Sequence, residues 1–262
     1  MAAMTTDPDP GPWLASVRRS HDRLTAQVQV LDASDLDRPS YCSEWSIAEV
    51  LSHLGSQAEI FSLFVDAGLA GSNAPAQDVF LPIWDAWNAR GAEAQAADSV
   101  AANEALVARL EALDPAALAA FRLDPFGIDV DATGLLQMRL SEHAIHTWDV
   151  AVSLNPAAQV APDVVELLVD GLPEMVARVG QPAARPATVT VTTEEPPRRF
   201  VLATGGVRLE VAGEPSGGGV DGSIELPAEV LLRLVYGRLQ ASDPVRADGI
   251  GLDDLHALFV GF

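Results

Sequence analysis

The sequence predicts a helical bundle followed by a smaller α+β domain, a fold of class α plus α+β. Three observations carry that expectation. Four long stretches before Pro156 place apolar residues three and four apart, the period of helices buried along one side. Toward the C-terminus, short β-branched runs alternate polar and apolar side chains between turn residues, as half-buried strands do. Between the two regimes stands Asn155-Pro156, where the periodic pattern stops at a residue that cannot continue a helix. The expected organisation is a disordered tail over 1–10, the bundle over 11–156 and the α+β domain over 157–262.

The first helix is expected over about 12–31, where WLASVRRSHDRLTAQVQVL is amphipathic. After a loop holding Pro39, Ser46 and Glu49 form an S-x-x-E capping box that opens a helix over about 47–69, with Gly71 just past its end. A third helix spans about 83–112, interrupted by Gly91, and LDPFGIDVDATG is irregular. The fourth occupies about 132–153, and four such helices suggest a four-helix bundle, a recurrent host of metal sites. A further helix is expected over about 162–179, followed by strands in ATVTVTT, RRFVLAT and VRLEVAG. SIELPAEVLLRLVYGRL starts as a strand and becomes a helix near Pro227, a residue tolerated at helix starts. PSGGG at 215–219 is a low-complexity loop.

Composition narrows the function. The net charge of −21 opposes nucleic acid and anionic membrane surfaces, both of which need basic residues. No apolar run approaches the roughly 20 residues of a membrane-spanning helix, and the N-terminus lacks the basic and apolar regions of a secretory signal. A single cysteine, Cys42, leaves no intramolecular disulfide and fits a cytoplasmic protein. All 16 basic residues are Arg, a skew that GC-rich, actinobacterial-type genomes produce.

The stretch MRLSEHAIHTWDV, residues 138–150, concentrates the chemistry. At about 100° per residue, Arg139, Glu142, His146 and Asp149 share one narrow stripe, with His143 at its margin. Glu142 and His146 lie one turn apart on that stripe, close enough to bind one ion, although the same spacing also makes helix-surface ion pairs. Catalytic zinc usually takes three protein ligands. The best third candidate is His53, an imidazole in the apolar VLSHLGS, which alternatively reads as a hydrogen-bonded core residue. His21, beside Asp22 and Arg23, and His256 in the distal domain are poorer candidates. Asp149 suits a supporting acceptor for a ligand imidazole, and Arg139 a second supporting residue. Cys42 reads as a small buried residue or a reactive thiol.

At these residues the chain resembles the mycothiol-dependent maleylpyruvate isomerase family of the DinB-like metalloenzyme superfamily. The motifs are W-x-x-x-E-V-L-x-H-L from Trp45 to Leu54, R-x-x-E-x-x-x-H-x-x-D from Arg139 to Asp149, and ELPAEVLLRLVYGRL from Glu225 to Leu239. The resemblance implies a DinB-like four-helix bundle binding a divalent metal, usually zinc, and a sterol-carrier-protein-like C-terminal domain. It implies His53, Glu142 and His146 as metal ligands and Arg238 as the substrate-binding arginine of the second domain. Glu49 stands where Asp is common, and His143 is an additional imidazole.

The implied activity is that of an isomerase or S-transferase in which mycothiol, a low-molecular-weight thiol, is activated on the metal and attacks a small electrophile. Two alternatives stay open: a metalloenzyme of the same fold without a thiol cofactor (a hydrolase, lyase or cyclase of secondary metabolism), and a non-catalytic, metal-stabilised ligand-binding module. Nickel or iron suits the same ligands as zinc. The partners expected are a thiol and a small electrophile, with the chain a monomer or small homo-oligomer.

Overall fold

Asp32, Ser46, Asp114 and Asp131 each close a loop and open a helix, their side-chain oxygens accepting N–H groups that a first helical turn leaves unpaired. The computed structural model describes residues 9–42, 44–213 and 219–261. The expected tail up to residue 8, and PSGGG up to residue 218, lie outside the described residues. The chain divides into two compact units, the first ending at Gln159 and the second beginning at Val160.

In the first unit, α1 (Gly11–Val28) stops short of the expected residue 31. The N–H groups of Gln29, Val30 and Leu31 turn back onto Thr25, Gln27 and Val28, and Asp32 then caps a short α2 (Ala33–Leu36) within the expected loop. The capping box at Ser46 and Glu49 opens α3 (Ile47–Ala70), which ends at Gly71 with φ 60, a left-handed conformation cheap only for glycine. The single helix expected over 83–112 is two, α4 (Leu81–Asn88) and α5 (Ala92–Glu111). Gly91 separates them as an extended N-cap, a position that avoids the roughly 1 kcal/mol glycine costs inside a helix. Asp114 caps a further short helix, α6 (Pro115–Ala120), and Asp131 caps α7 (Ala132–Leu154). α1 packs on α5 and α7, while α3 packs on α4, α5 and α7. Leu24, Ile47, Val50, Leu51, Leu54 and Val150 form a core that joins α1, α3 and α7.

In the second unit, the helix expected over 162–179 is broken into α8 (Pro162–Leu168) and α9 (Leu172–Val179) by a 3-10 turn at Val169–Gly171. Pro173 lies in the first turn of α9, where its missing N–H and bulky ring would interrupt a continuous helix. The strands are β1 (Thr188–Glu194), β2 (Arg198–Ala203), β3 (Arg208–Val211), β4 (Gly222–Pro227) and β5 (Arg246–Asp248), in the sheet order β3-β2-β1-β4-β5. β1 is central: Val189 and Val191 are buried, β2 pairs with it antiparallel and β4 parallel. α10 (Ala228–Val235) follows β4 directly, and α11 (Leu252–Leu258) follows β5. β5, unexpected from sequence, has only three residues, all exposed, and so lacks the alternation that reveals strands. Buried Arg233 of α10 ties this unit together, donating to both carboxylates of Glu229 and Asp243, while Glu229 also accepts the Val160 N–H. No described helix is long and apolar enough to cross a membrane.

Candidate functional site

Two turns into α3, His53 faces α7, and its Nε2 lies 2.5 Å from Glu142 Oε1. His146, one turn after Glu142, places its own Nε2 3.6 Å from the same oxygen. The two imidazole rings stand edge to face with centroids 4.6 Å apart. The structure therefore brings together His53, Glu142 and His146, from helices 89 residues apart in sequence at the His53–Glu142 contact. Side-chain exposures of 20%, 25% and 11% leave the cluster partly open to solvent.

Asp149, fully buried on α7, anchors the cluster from behind. Its Oδ2 lies 2.9 Å from His146 Nδ1 and accepts from Cys42 Sγ at 3.1 Å. With the imidazole proton on Nδ1, the His146 lone pair is on Nε2, toward Glu142 and His53. Cys42 and Trp45 arrive on the loop before α3, which is folded back on itself. The Ser40 N–H and Oγ both donate to the Trp45 carbonyl at 2.8 Å, and the Trp45 N–H donates to the Cys42 carbonyl at 2.7 Å.

Glu142 is held as a carboxylate. Burial pushes its pKa up, but the His53 hydrogen bond and the electrostatic pull of His146, His53 and Arg139 outweigh burial and bring it down to about 2. One carboxylate oxygen and two imidazole nitrogens, all within 4.8 Å of one another, fit a divalent cation of the kind that takes N and O ligands at about 2.1 Å. A three-donor set leaves such a cation room for a further ligand. Cys42, His146 and Asp149 form a second compact donor group on the other side of the His146 ring, where the hydrogen bonds to Asp149 already account for the proximity.

The model of the mycothiol maleylpyruvate isomerase N-terminal domain matches residues 17–151, just over half of the chain. The chain belongs to this family. Two solved structures, those of the mycothiol-dependent maleylpyruvate isomerase and of a histidine-to-alanine mutant of it, are each similar with a TM-score of 0.72 at 14% identity, over 96% of this chain and 98% of that chain. At that identity the likeness is one of fold. No curated protein matches the sequence.

The remaining motif residues of this family member fall in different places. Glu49 accepts the Ser46 N–H at 2.7 Å and so closes the capping box of α3. Arg139, fully buried, does not join the three-residue cluster: it donates to Asn103 Oδ1 on α5 and lies 5.3 Å from the Phe61 ring centroid. Burial pushes its pKa down to about 10, against the pull of the Glu142 charge, so it remains a cation at neutral pH. His143 points away from the cluster, toward α1, with Ser20 Oγ 2.8 Å from its Nδ1. Burial, then the charges of Arg139 and His21, hold it well below the usual histidine range. His21 is buried rather than on a wet face, its Nε2 3.0 Å from Glu104. His256 lies on α11 of the second unit. Arg238, also in the second unit, is buried and donates to the Tyr236 carbonyl at 2.6 Å.

Sequence reasoning missed the part played by Trp45, which stood in the α3 motif only as a marker. Its ring centroid lies 5.2 Å from that of His53 and 6.4 Å from that of His146. No periodicity reveals a loop residue of this kind.

Proposed function

We propose that this family member is a metal-dependent enzyme that uses a low-molecular-weight thiol, mycothiol, to isomerise or S-conjugate a small electrophile. The observation that carries the reading is the convergence of His53, Glu142 and His146 on one partly open point. Those three would hold the cation, zinc being the best match to two imidazoles and a carboxylate. Bound there, it would supply the positive charge that favours a thiolate, whereas a free thiol of pKa about 8.5 is mostly protonated at neutral pH. The chemistry is addition of sulfur to an electrophilic double bond. Elimination after rotation returns the thiol and gives cis–trans isomerisation; retention of the adduct gives S-transfer.

The chain's own residues set the stage. Asp149 fixes the His146 tautomer and ring orientation, and Cys42 supplies a second hydrogen bond that holds the Asp149 carboxylate in place. Glu142, ionised throughout the neutral range, offers its oxygen without first losing a proton. Arg139 adds a fixed buried positive charge beside that carboxylate. Arg238 is assigned by family resemblance to bind a carboxylate of substrate or thiol through its planar fork. The same reading takes the first unit as a DinB-like four-helix bundle and the second as a sterol-carrier-protein-like domain, in a cytoplasmic monomer or small homo-oligomer.

Metal analysis of the purified protein beside His53→Ala and His146→Ala tests the premise. The parent should carry close to one metal per chain and each variant markedly less; full metal content in both variants would end the proposal. Incubation with mycothiol and a panel of electrophiles tests the chemistry. Metal retained with no thiol consumed would instead favour an enzyme of this fold that works without a thiol.

A further inference from the structure

We infer that Trp45 is the substrate-contacting wall of the candidate site and that it selects electrophiles presenting a flat, conjugated face. The inference rests on the proposed function and adds a substrate class to it. Trp13, Trp87 and Trp148 are 5%, 1% and 2% exposed, as tryptophans that serve packing are, and half-buried Trp84 packs edge-on against Phe80, whereas Trp45 is 37% exposed. The exposed indole is not on a loose loop. Both hydrogen bonds from Ser40 and the one to Cys42 fix its backbone, and an antiparallel bridge joins Pro39 to Ser46 across the loop. The ring is tilted by 42° and 32° to the two imidazoles of the cluster rather than buried among aliphatic side chains.

A rigid aromatic surface beside two candidate metal ligands is suited to contact whatever is held there. Aromatic faces pack best against other flat π systems, offset or edge-on. Such a partner also suits the chemistry, because conjugation is what makes a double bond accept a thiolate. Covering the exposed third of a tryptophan is worth roughly ten- to thirty-fold in affinity. The indole has no donor atom suited to a divalent cation, so the role is contact with substrate, separable from metal binding.

The test uses the metal-loaded protein, with Trp45→Ala and Trp45→Phe. The probes are trans-cinnamate and its saturated counterpart 3-cyclohexylpropanoate, alike in carbon skeleton and charge but not in flatness. Binding is read by calorimetry, alongside metal content and melting temperature. The parent is expected to prefer cinnamate, Trp45→Ala to lose about ten- to thirty-fold for cinnamate and less for the saturated acid, and Trp45→Phe to keep most of the preference. Metal content should stay unchanged in both variants. Equal cinnamate affinity in parent and Trp45→Ala would overturn the inference, as would a parent with no preference, or equal losses for both acids accompanied by metal loss. Because no turnover is read, a preference that follows Trp45 in a protein that consumes no thiol would sink the thiol chemistry and leave the wall standing.

Discussion

Replacing Asp149 by Asn keeps the shape of a fully buried side chain and removes its charge. In the parent, one carboxylate oxygen serves two partners, His146 Nδ1 at 2.9 Å and Cys42 Sγ at 3.1 Å. A hydrogen bond to an ionised acceptor is worth about 1.5–3 kcal/mol against about 1 kcal/mol for a neutral one, so the substitution removes about 1–2 kcal/mol of orientation. The asparagine amide can also donate to Nδ1, which would put the imidazole proton on Nε2 and take away the lone pair aimed at Glu142. Both effects act on metal affinity, for which disturbing a ligand's supporting partner commonly costs 10- to 100-fold. The assay is competition for zinc between the apoprotein and a chromophoric chelator at neutral pH, with a melting curve as a control for folding. A drop of about ten-fold or more is expected, with little change in melting. An Asp149→Asn protein that binds zinc within two-fold of the parent would refute the claim that Asp149 orients His146.

Three further outcomes follow from the same structure. Because Glu142 is held at about 2 rather than at the ordinary 4.5 of a glutamate, its stabilising contribution to the metal-free protein is complete above about pH 4.5 and is lost as pH falls toward 2. The stability advantage of the parent over Glu142→Gln, measured by urea unfolding in EDTA, should therefore shrink between pH 5 and 3; an advantage that grows on acidification would contradict it. Arg233→Met leaves Glu229 and Asp243 buried without their shared cation, at a cost of about 3–5 kcal/mol that a thermal melt of the variant should show. Gly55→Ala would set a methyl 2.2 Å from the ring of buried Trp87. Overpacking of about 1–3 kcal/mol should outweigh the roughly 1 kcal/mol of helix propensity gained, lowering the urea midpoint and altering tryptophan emission.

Local chemistry made much of the molecule legible beforehand. The Ser46–Glu49 capping box and the left-handed Gly71 bracket α3 because both act within a turn of the helix ends. Glu142, His146 and Asp149 share a face of α7 because helical spacing alone dictates it. The strand alternation in β1 was visible for the same reason, whereas exposed β5 carried no such pattern. Gly91 was visible as an interruption, but whether it kinks or ends a helix depends on what packs on either side of it.

The sequence by itself determined where α3 and α7 begin and end, and which polar residues lie together on α7. Only the tertiary structure decided that His53 meets Glu142 across 89 residues, that His143 turns to Ser20 of α1, that Arg139 turns to Asn103 of α5, and that the loop before α3 brings Cys42 to Asp149 and Trp45 to the two imidazoles. The division has a physical cause. Backbone hydrogen bonding sets the angle between residues a turn apart, whereas the rotation and register of one helix against another are settled by the packing of every side chain between them.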